Sequence, residues 1–262
     1  TVGCPARSEG RSVVGGLVVD QNGRGVAGVA VSLSGPVSAE MRTDGQGRYA
    51  FRRLPAGDYR VTLKTPPGIA VPGSGGLSVS VAGRGNARAD FAVLPASLLR
   101  IADIQGRGHL SPYAGKEVVS VPGIVTALRP PAGFYIQSPL PDDNPDTSEG
   151  LMVAAGRLRD LAPGDLILVD GRVEERSTAG AEAADLPVTT LVLTGHRRLV
   201  RGFGVPTPLV IGQGGRLPPD RAICDDAGSD ATLSLFDPAR DGLDFYESLE
   251  GMLVQVNEPL VV

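Results

Sequence analysis

The sequence predicts an all-β chain in which a β-sandwich is followed by a five-stranded barrel and then by the start of a further β-element. Two observations carry this expectation. Short runs of alternating apolar and polar residues, rich in valine, leucine, tyrosine and phenylalanine, recur along most of the 262 residues. The 36 Gly and 22 Pro fall between those runs instead of forming one tract, so they punctuate turns. A hydrophobic content of 42% is ordinary for a globular chain, and the length gives room for two domains that each bury a core. No run of roughly 18 apolar residues is present to span a membrane as a helix, and no intact signal peptide opens the sequence.

Residues 1–11 are small and polar without periodicity and read as an extended lead-in, a segment that can add as a strand to another molecule's sheet edge. The first β-domain is placed at 12–95. Its opening run ends in Gln21-Asn22-Gly23-Arg24-Gly25, where Asn22-Gly23 signals a hairpin because both residues tolerate positive φ. Val29, Val31 and Leu33 then share a face. Thr43-Asp44-Gly45-Gln46-Gly47 makes the next turn, and Tyr49 and Phe51 share a face of the strand after it. Leu54-Pro55-Ala56-Gly57-Asp58 turns the chain into an alternating run at 59–63, and closing strands are expected at 77–81 and 89–93. Turns this frequent between short strands argue for a sandwich. With Gly16-Leu17-Val18-Val19-Asp20, Gly25-Val26-Ala27-Gly28-Val29 and Gly47-Arg48-Tyr49-Ala50-Phe51, this stretch resembles the carboxypeptidase regulatory-like, transthyretin-like β-sandwich family. The resemblance implies a non-catalytic stalk, spacer or adhesive module of an exported protein. Thr43, Asp44 and Asp58 read as turn and cap residues, with a metal role the alternative.

A short linker, Pro95-Ala96-Ser97, leads to the barrel, placed at 99–202. A strand-like lead at 98–106 and a loop at 107–113 come first. Two β-branched and aromatic runs, 118–128 and 134–137, flank Arg129-Pro130-Pro131-Ala132-Gly133, whose prolines and glycine make the whole a hairpin. A polar loop at 139–147, a strand at 150–155, a short helical turn at 158–162 and the turn Pro163-Gly164-Asp165 follow. The alternating strand at 166–175 and a last strand at 188–194 complete the set. Five strands with a small helical piece before the fourth suit an OB-like β-barrel, the architecture that binds oligonucleotides and oligosaccharides.

Specific residues extend that reading. Ile101-Ala102-Asp103-Ile104-Gln105-Gly106, Val121-Pro122-Gly123-Ile124, Gly133-Phe134-Tyr135-Ile136-Gln137 and Asp146-Thr147-Ser148-Glu149-Gly150 resemble the OB-like N-terminal accessory region of secreted bacterial nucleases of the endonuclease/exonuclease/phosphatase superfamily. Phe236-Asp237-Pro238 and the stretch 241–252 continue the match. The resemblance implies a front portion that holds substrate or docks a downstream catalytic domain. Residues 203–262 form a long connection and a β-segment in which 249–256 echoes 113–121, so this strand either starts a second barrel or completes the first; the resemblance favours the second barrel.

The chemistry on offer is sparse. A net charge of −4 excludes a chain that binds nucleic acid by bulk electrostatics, so such a partner needs a local basic strip. Arg129, Arg197, Arg198 and Arg201 are candidates for the strip, or are solvated strand-end charges. On the barrel, single-stranded nucleic acid would stack on Tyr135 beside Arg129 and Arg172. Only 4% of residues are aromatic, and of Phe134 and Tyr135 one must point inward. The loop carrying Asp142, Asp143, Asn144 and Asp146 offers hard oxygens suited to Ca²⁺, though Asn-Pro-Asp is equally a capped turn; Asp237, Asp241 and Asp244 form a second acidic set. His109 and His196 sit in no Asp-His motif, Ser111 and Ser148 have no base nearby in sequence, and all four read as structural. Cys4 and Cys224 are a candidate long-range disulfide, or two free thiols; Thr1-Val2-Gly3-Cys4 also loosely matches a lipidation signal.

Two function classes follow for a chain expected outside a bacterial cell or on its surface. One is the non-catalytic accessory region of an exported nuclease-like protein, a spacer plus a nucleic-acid-binding or domain-docking module. The other is a structural or adhesive protein that assembles through its sheet edges. Catalysis by this chain alone is expected to be absent.

Overall fold

The computed structural model describes residues 12–73, 75–156, 160–177, 186–220, 223 and 236–257. The chain is nearly all β and divides into two compact units between Ser97 and Leu98.

The first unit holds β1 (Ser12–Val19), β2 (Ala30–Ser34), β3 (Ala39–Arg42), β4 (Arg48–Leu54), β5 (Gly57–Lys64), β6 (Ile69–Ala70), β7 (Gly76–Val81), β8 (Asn86–Arg88), β9 (Phe91–Ala92) and β10 (Leu94–Pro95). One sheet runs β4-β1-β8, with β9 continuing parallel to β1. The facing sheet runs β3-β2-β5-β7, and β6 and β10 form a small pair. Alternation decides which side is buried: Val14, Val31, Leu33, Tyr49, Phe51, Tyr59 and Val61 point inward from β1, β2, β4 and β5 and meet in one core. Polar groups are spent locally. Asp20 Oδ1 accepts from the Asn22 and Arg24 amides at 2.8 and 2.9 Å, and Asp44 Oδ1 accepts from Gln46 and Arg48 at 2.9 and 2.8 Å. Thr43 Oγ1 donates to Val26 O and accepts from Val29 N. The two aspartates close turns, and Thr43 ties its turn to the 26–29 segment. Gly47 shows why the second turn needs glycine: its φ is 77° and a Cβ there would lie 2.5 Å from Val18 O.

The second unit starts with α1 (Ile101–Gln105) and continues through β11 (Glu117–Arg129), β12 (Gly133–Gln137), β13 (Gly150–Ala154), β14 (Leu166–Arg176), β15 (Val188–Val200), β16 (Leu209–Ile211), α2 (Gly242–Glu247) and β17 (Val254–Val256). The long hairpin β11–β12 organises it, with Arg129 paired to Gly133 across the turn. Five strands close a barrel in the order β11-β12-β13-β15-β14, in which β13 and β15 run parallel and every other pair antiparallel. β11 serves two partners, β14 along its first half and β12 along its second. A register shift between Val118 and Val121 bends it, with Ser120 at φ 55° and its amide bonded to Asp170 Oδ1 at 2.6 Å. Val121, Val125, Phe134, Ile136, Leu151, Val169 and Leu191 fill the interior, and Ile101 and Ile104 pack onto the same cluster.

One expectation changes, and one of the two alternatives for the tail drops out. The lead at 98–106 is not a strand but contains α1: Ile101 and Ile104, one turn apart, are both buried, and the Arg100 amide donates to Asp103 Oδ2 at 3.0 Å. Nor does the tail complete the first barrel. β17 pairs in parallel with β16 in a separate two-stranded sheet, and the barrel closes without it. The echo between 113–121 and 249–256 is a conformational one. Each copy runs through a turn with a left-handed glycine, Gly115 at φ 78° and Gly251 at φ 68°, closed by Lys116 N to Tyr113 O and by Met252 N to Leu249 O, into a strand. The helical turn expected at 158–162 lies partly outside the described residues.

Candidate functional site

In the second unit the C-terminal segment docks on the barrel through buried polar side chains. The Gln137 Oε1 atom accepts from Leu253 N at 2.9 Å, Ser148 Oγ donates to Glu250 O at 2.6 Å, and Gln105 Nε2 donates to Gly150 O at 2.7 Å and to Glu250 Oε1 at 3.1 Å. Glu175 accepts from the Ser111 amide at 2.7 Å and from Thr189 Oγ1. His109 crosses from the loop after α1 to α2: its Nε2 is 2.7 Å from Asp244 Oδ1, and its Nδ1 faces Glu247 Oε2 at 3.2 Å, out of line for a hydrogen bond. His109 and Asp244 are 5% and 2% exposed, so this couple is a fastening inside the unit.

Burial governs the acid–base behaviour of this seam. It raises Glu250 to about 8, helped by the nearby Glu247 carboxylate and opposed by the Gln105 and Thr189 donors. Glu175 is also raised by burial, against the pull of Ser111 and Thr189. For His109, burial pulls the pKa down, but Glu247 and Asp244 together outweigh it and the net shift is upward.

Beside this seam opens a cleft of about 340 Å³, lined by Gln137, Pro145, Glu149, Leu209, Arg216 and Met252 among others. The acidic loop forms one wall and the segment after β16 the other. Glu149, 8% exposed, accepts from the Asp142 amide through Oε1 at 2.7 Å, while its Oε2 is buried without a hydrogen-bond partner. Burial raises its carboxyl to about 7, partly offset by the Asp142 amide and the Ser138 hydroxyl. Arg216 reaches over the Phe245 ring at 5.0 Å and donates from Nη2 to Ser248 Oγ at 3.2 Å.

The residues singled out in the sequence are not gathered into one site. Tyr135 does face outward while Phe134 is buried, and Arg129 Nη1 lies 3.4 Å from the Tyr135 hydroxyl. Arg172 is elsewhere: it pairs with Glu117, whereas Tyr135 pairs with Ala127, so about ten residues of β11, roughly 30 Å of strand, separate them. Arg197 and Arg198 pair with Leu168 and Ile167 on β14, and Arg198 bonds Asp160 O and approaches Asp165 Oδ2 at 3.4 Å. Strand register, invisible in spacing, disperses this basic strip. The Ca²⁺ loop spends its oxygens on itself: Asp142 Oδ1 accepts from Asn144 N at 2.8 Å and from Thr147 Oγ1 at 3.1 Å, Asn144 Oδ1 accepts from Asp146 N, and Asp146 pairs with Arg107. Asp143 is exposed at φ 61°. The capped turn is what forms, and among the described residues no three Asp, Glu, His or Cys side chains gather to hold a metal ion. Asp241 caps α2 and Asp244 holds His109 and the Asp237 amide, so the second acidic set is structural too. Cys4 and Cys224 lie outside the described residues.

The net positive charge lies instead on the first unit, where residues 1–97 hold eleven of the 25 Lys and Arg but only six of the 29 Asp and Glu. On the outward face of β4-β1-β8, Gly15 and Ala50 make the floor of an open trough of about 870 Å³ rimmed by Arg48, Arg52 and Arg88. Arg88 pairs with Asp90.

Compared with known families, residues 13–93 of the first unit match the model of the carboxypeptidase regulatory-like domain. The sandwich is similar to a carboxypeptidase regulatory-like domain. Residues 210–262, downstream of this regulatory-like domain, match a domain of unknown function, DUF8508. No curated protein matches the chain. Among solved structures, the chain is similar to the minor pilin GBS52 of Streptococcus agalactiae, at 17% identity and TM-score 0.28 over 34% of this chain and 46% of that one. It is similar to the Bacillus anthracis TIE protein at 11% and 0.30, over 70% and 32%. For the shaft pilin SpaA of Lactobacillus rhamnosus GG, as its D295N mutant, the values are 12% and 0.27 over 68% and 97%. The chain thus spans less than half of the minor pilin and about a third of the TIE protein. The nuclease resemblance of 99–262 gains no support from these comparisons.

Proposed function

We propose that this chain is a non-catalytic structural or adhesive protein of a bacterial surface or the extracellular space, assembling by strand addition at the regulatory-like domain. One observation carries the reading. β7, Gly-Leu-Ser-Val-Ser-Val, ends its sheet: among the described residues it pairs with β5 alone, and none of its six residues is charged. The opposite edge, β3, carries Glu40 and Arg42. Edge strands are ordinarily blunted by charge, proline or a covering element, because unpaired amides and carbonyls invite another strand. β3 fits that rule and β7 departs from it. An incoming strand at β7 gains main-chain hydrogen bonds and sets its side chains beside Leu77 and Val79.

The test is sedimentation across a concentration series. The wild-type chain is expected to form assemblies that the double variant Ser78→Lys/Ser80→Lys loses; both serines are exposed, so the fold tolerates the change. A wild-type chain that stays monomeric throughout rules this reading out.

A second reading rests on the barrel order β11-β12-β13-β15-β14, the order expected of an OB barrel, with Tyr135 and Arg129 together on its outside. In it the barrel holds single-stranded nucleic acid as the accessory part of a nuclease-like protein. Labelled single-stranded DNA at low ionic strength tests it: salt-sensitive binding that weakens in Tyr135→Ala supports it, and no binding removes it.

A further inference from the structure

The geometry points to the cleft between the 142–149 loop and Arg216 as a binding site for a small ligand carrying an ammonium and a carboxylate group, an apolar α-amino acid. This goes beyond the assembly reading and does not depend on it. The cleft, about 340 Å³, sits at the small end of the range that ligand sites occupy, roughly 300–1,000 Å³. Two groups of opposite sign face it with capacity unspent. Glu149 Oε2 is buried and has no hydrogen-bond partner, an arrangement that costs stability unless something completes it. Arg216 gives one bond to a neutral hydroxyl, at Ser248 Oγ, and has no carboxylate within ion-pair distance among the described residues. The planar guanidinium can still grip a carboxylate through two parallel hydrogen bonds.

The two groups are not paired with each other, so a ligand that satisfies both must carry both charges. An ammonium at Glu149 also holds that carboxyl in its ionised form. Asp143 on the same loop also lines the cleft and adds negative potential there, and the Asp146 carboxylate exerts a pull on Arg216. Leu209, Met252 and Pro145 line the same cleft and offer an apolar wall for an aliphatic side chain that branches from the carbon bearing both charged groups.

Calorimetric titration of the full chain with three probes tests this: L-leucine, its carboxylate-only analogue 4-methylvalerate and its amine-only analogue isoamylamine. Leucine is expected to bind, with each half-ligand weaker by roughly tenfold or more. Glu149→Gln and Arg216→Gln are each expected to lower leucine affinity by a similar factor. Glu149→Gln keeps the shape of the wall, so it decides the matter if the arginine variant does not fold. No heat with leucine at millimolar concentration, a half-ligand as tight as leucine, or undiminished leucine binding by Glu149→Gln overturns the assignment.

Discussion

The two units handle polar groups in opposite ways. In the regulatory-like domain, Asp20 and Asp44 are consumed in turns within a few residues of themselves, Thr43 makes neutral hydroxyl bonds to Val26 and Val29, and the apolar core cluster includes two tyrosines. In the second unit, Glu175, Glu250, Asp244 and His109 are at least half-buried and bonded to residues far along the chain, while Glu149 is buried within its own loop. The difference teaches where stability will respond to protons. A sandwich whose charges stay in turns has little to titrate near neutrality, whereas a unit fastened by buried carboxyls is tied to pH through every one of them.

The largest expected effect comes from cutting that fastening. Asp244→Ala strips His109 and the Asp237 amide of their acceptor at a site 2% exposed, and should cost the second unit about 3–5 kcal/mol in urea unfolding. A loss under 1 kcal/mol would show that the couple holds nothing together.

Next comes pH itself. Glu250 is raised to about 8 and Glu149 to about 7 from an ordinary 4.5. A carboxyl raised on folding holds its proton more tightly in the native state, so its contribution is complete below pH 4.5 and is lost as pH climbs through 7 and 8. His109, raised as well, acts in the same direction. Between pH 5 and pH 8 the second unit should lose on the order of a few kcal/mol while the sandwich holds steady, and Glu250→Gln should flatten much of the slope. Residue-resolved melting by NMR reads the units separately; equal slopes in both would break the contrast.

The smallest effect belongs to the sandwich. Tyr49 donates its hydroxyl to Ala89 O, a neutral hydrogen bond, and Tyr49→Phe should cost about 1–2 kcal/mol without any pH dependence near neutrality. A cost as large as that of Asp244→Ala would mean the sandwich relies on buried polar contacts just as heavily.

The same contrast explains what could be read in the sequence. The sandwich was legible because its signals are local: Asn22-Gly23, Thr43-Asp44-Gly45 and the Tyr49/Phe51 alternation each fix a turn or face within a few residues. The hairpin at 118–137 was legible for the same reason. α1 was not, since five residues give one turn and too little periodicity to tell Ile101 and Ile104 from a strand. The cleft and the seam were hidden because their partners lie far apart in sequence: His109 meets Asp244 across 135 residues, and Gln105 meets Glu250 across 145. The one signal available was Glu149 itself, an acidic side chain standing directly before the apolar strand β13. The distance between Tyr135 and Arg172 was hidden because spacing cannot show that register puts them at opposite ends of β11.

The proposed role turns on the difference between two edges of one sheet, and hydrogen exchange measures that difference directly. In assembled material the amides of β7 that point away from β5 should gain protection, while those of β3 exchange as fast as in dilute chain. Unchanged exchange along β7 in the assembled state, or protection appearing at β3 instead, would contradict strand addition at this edge.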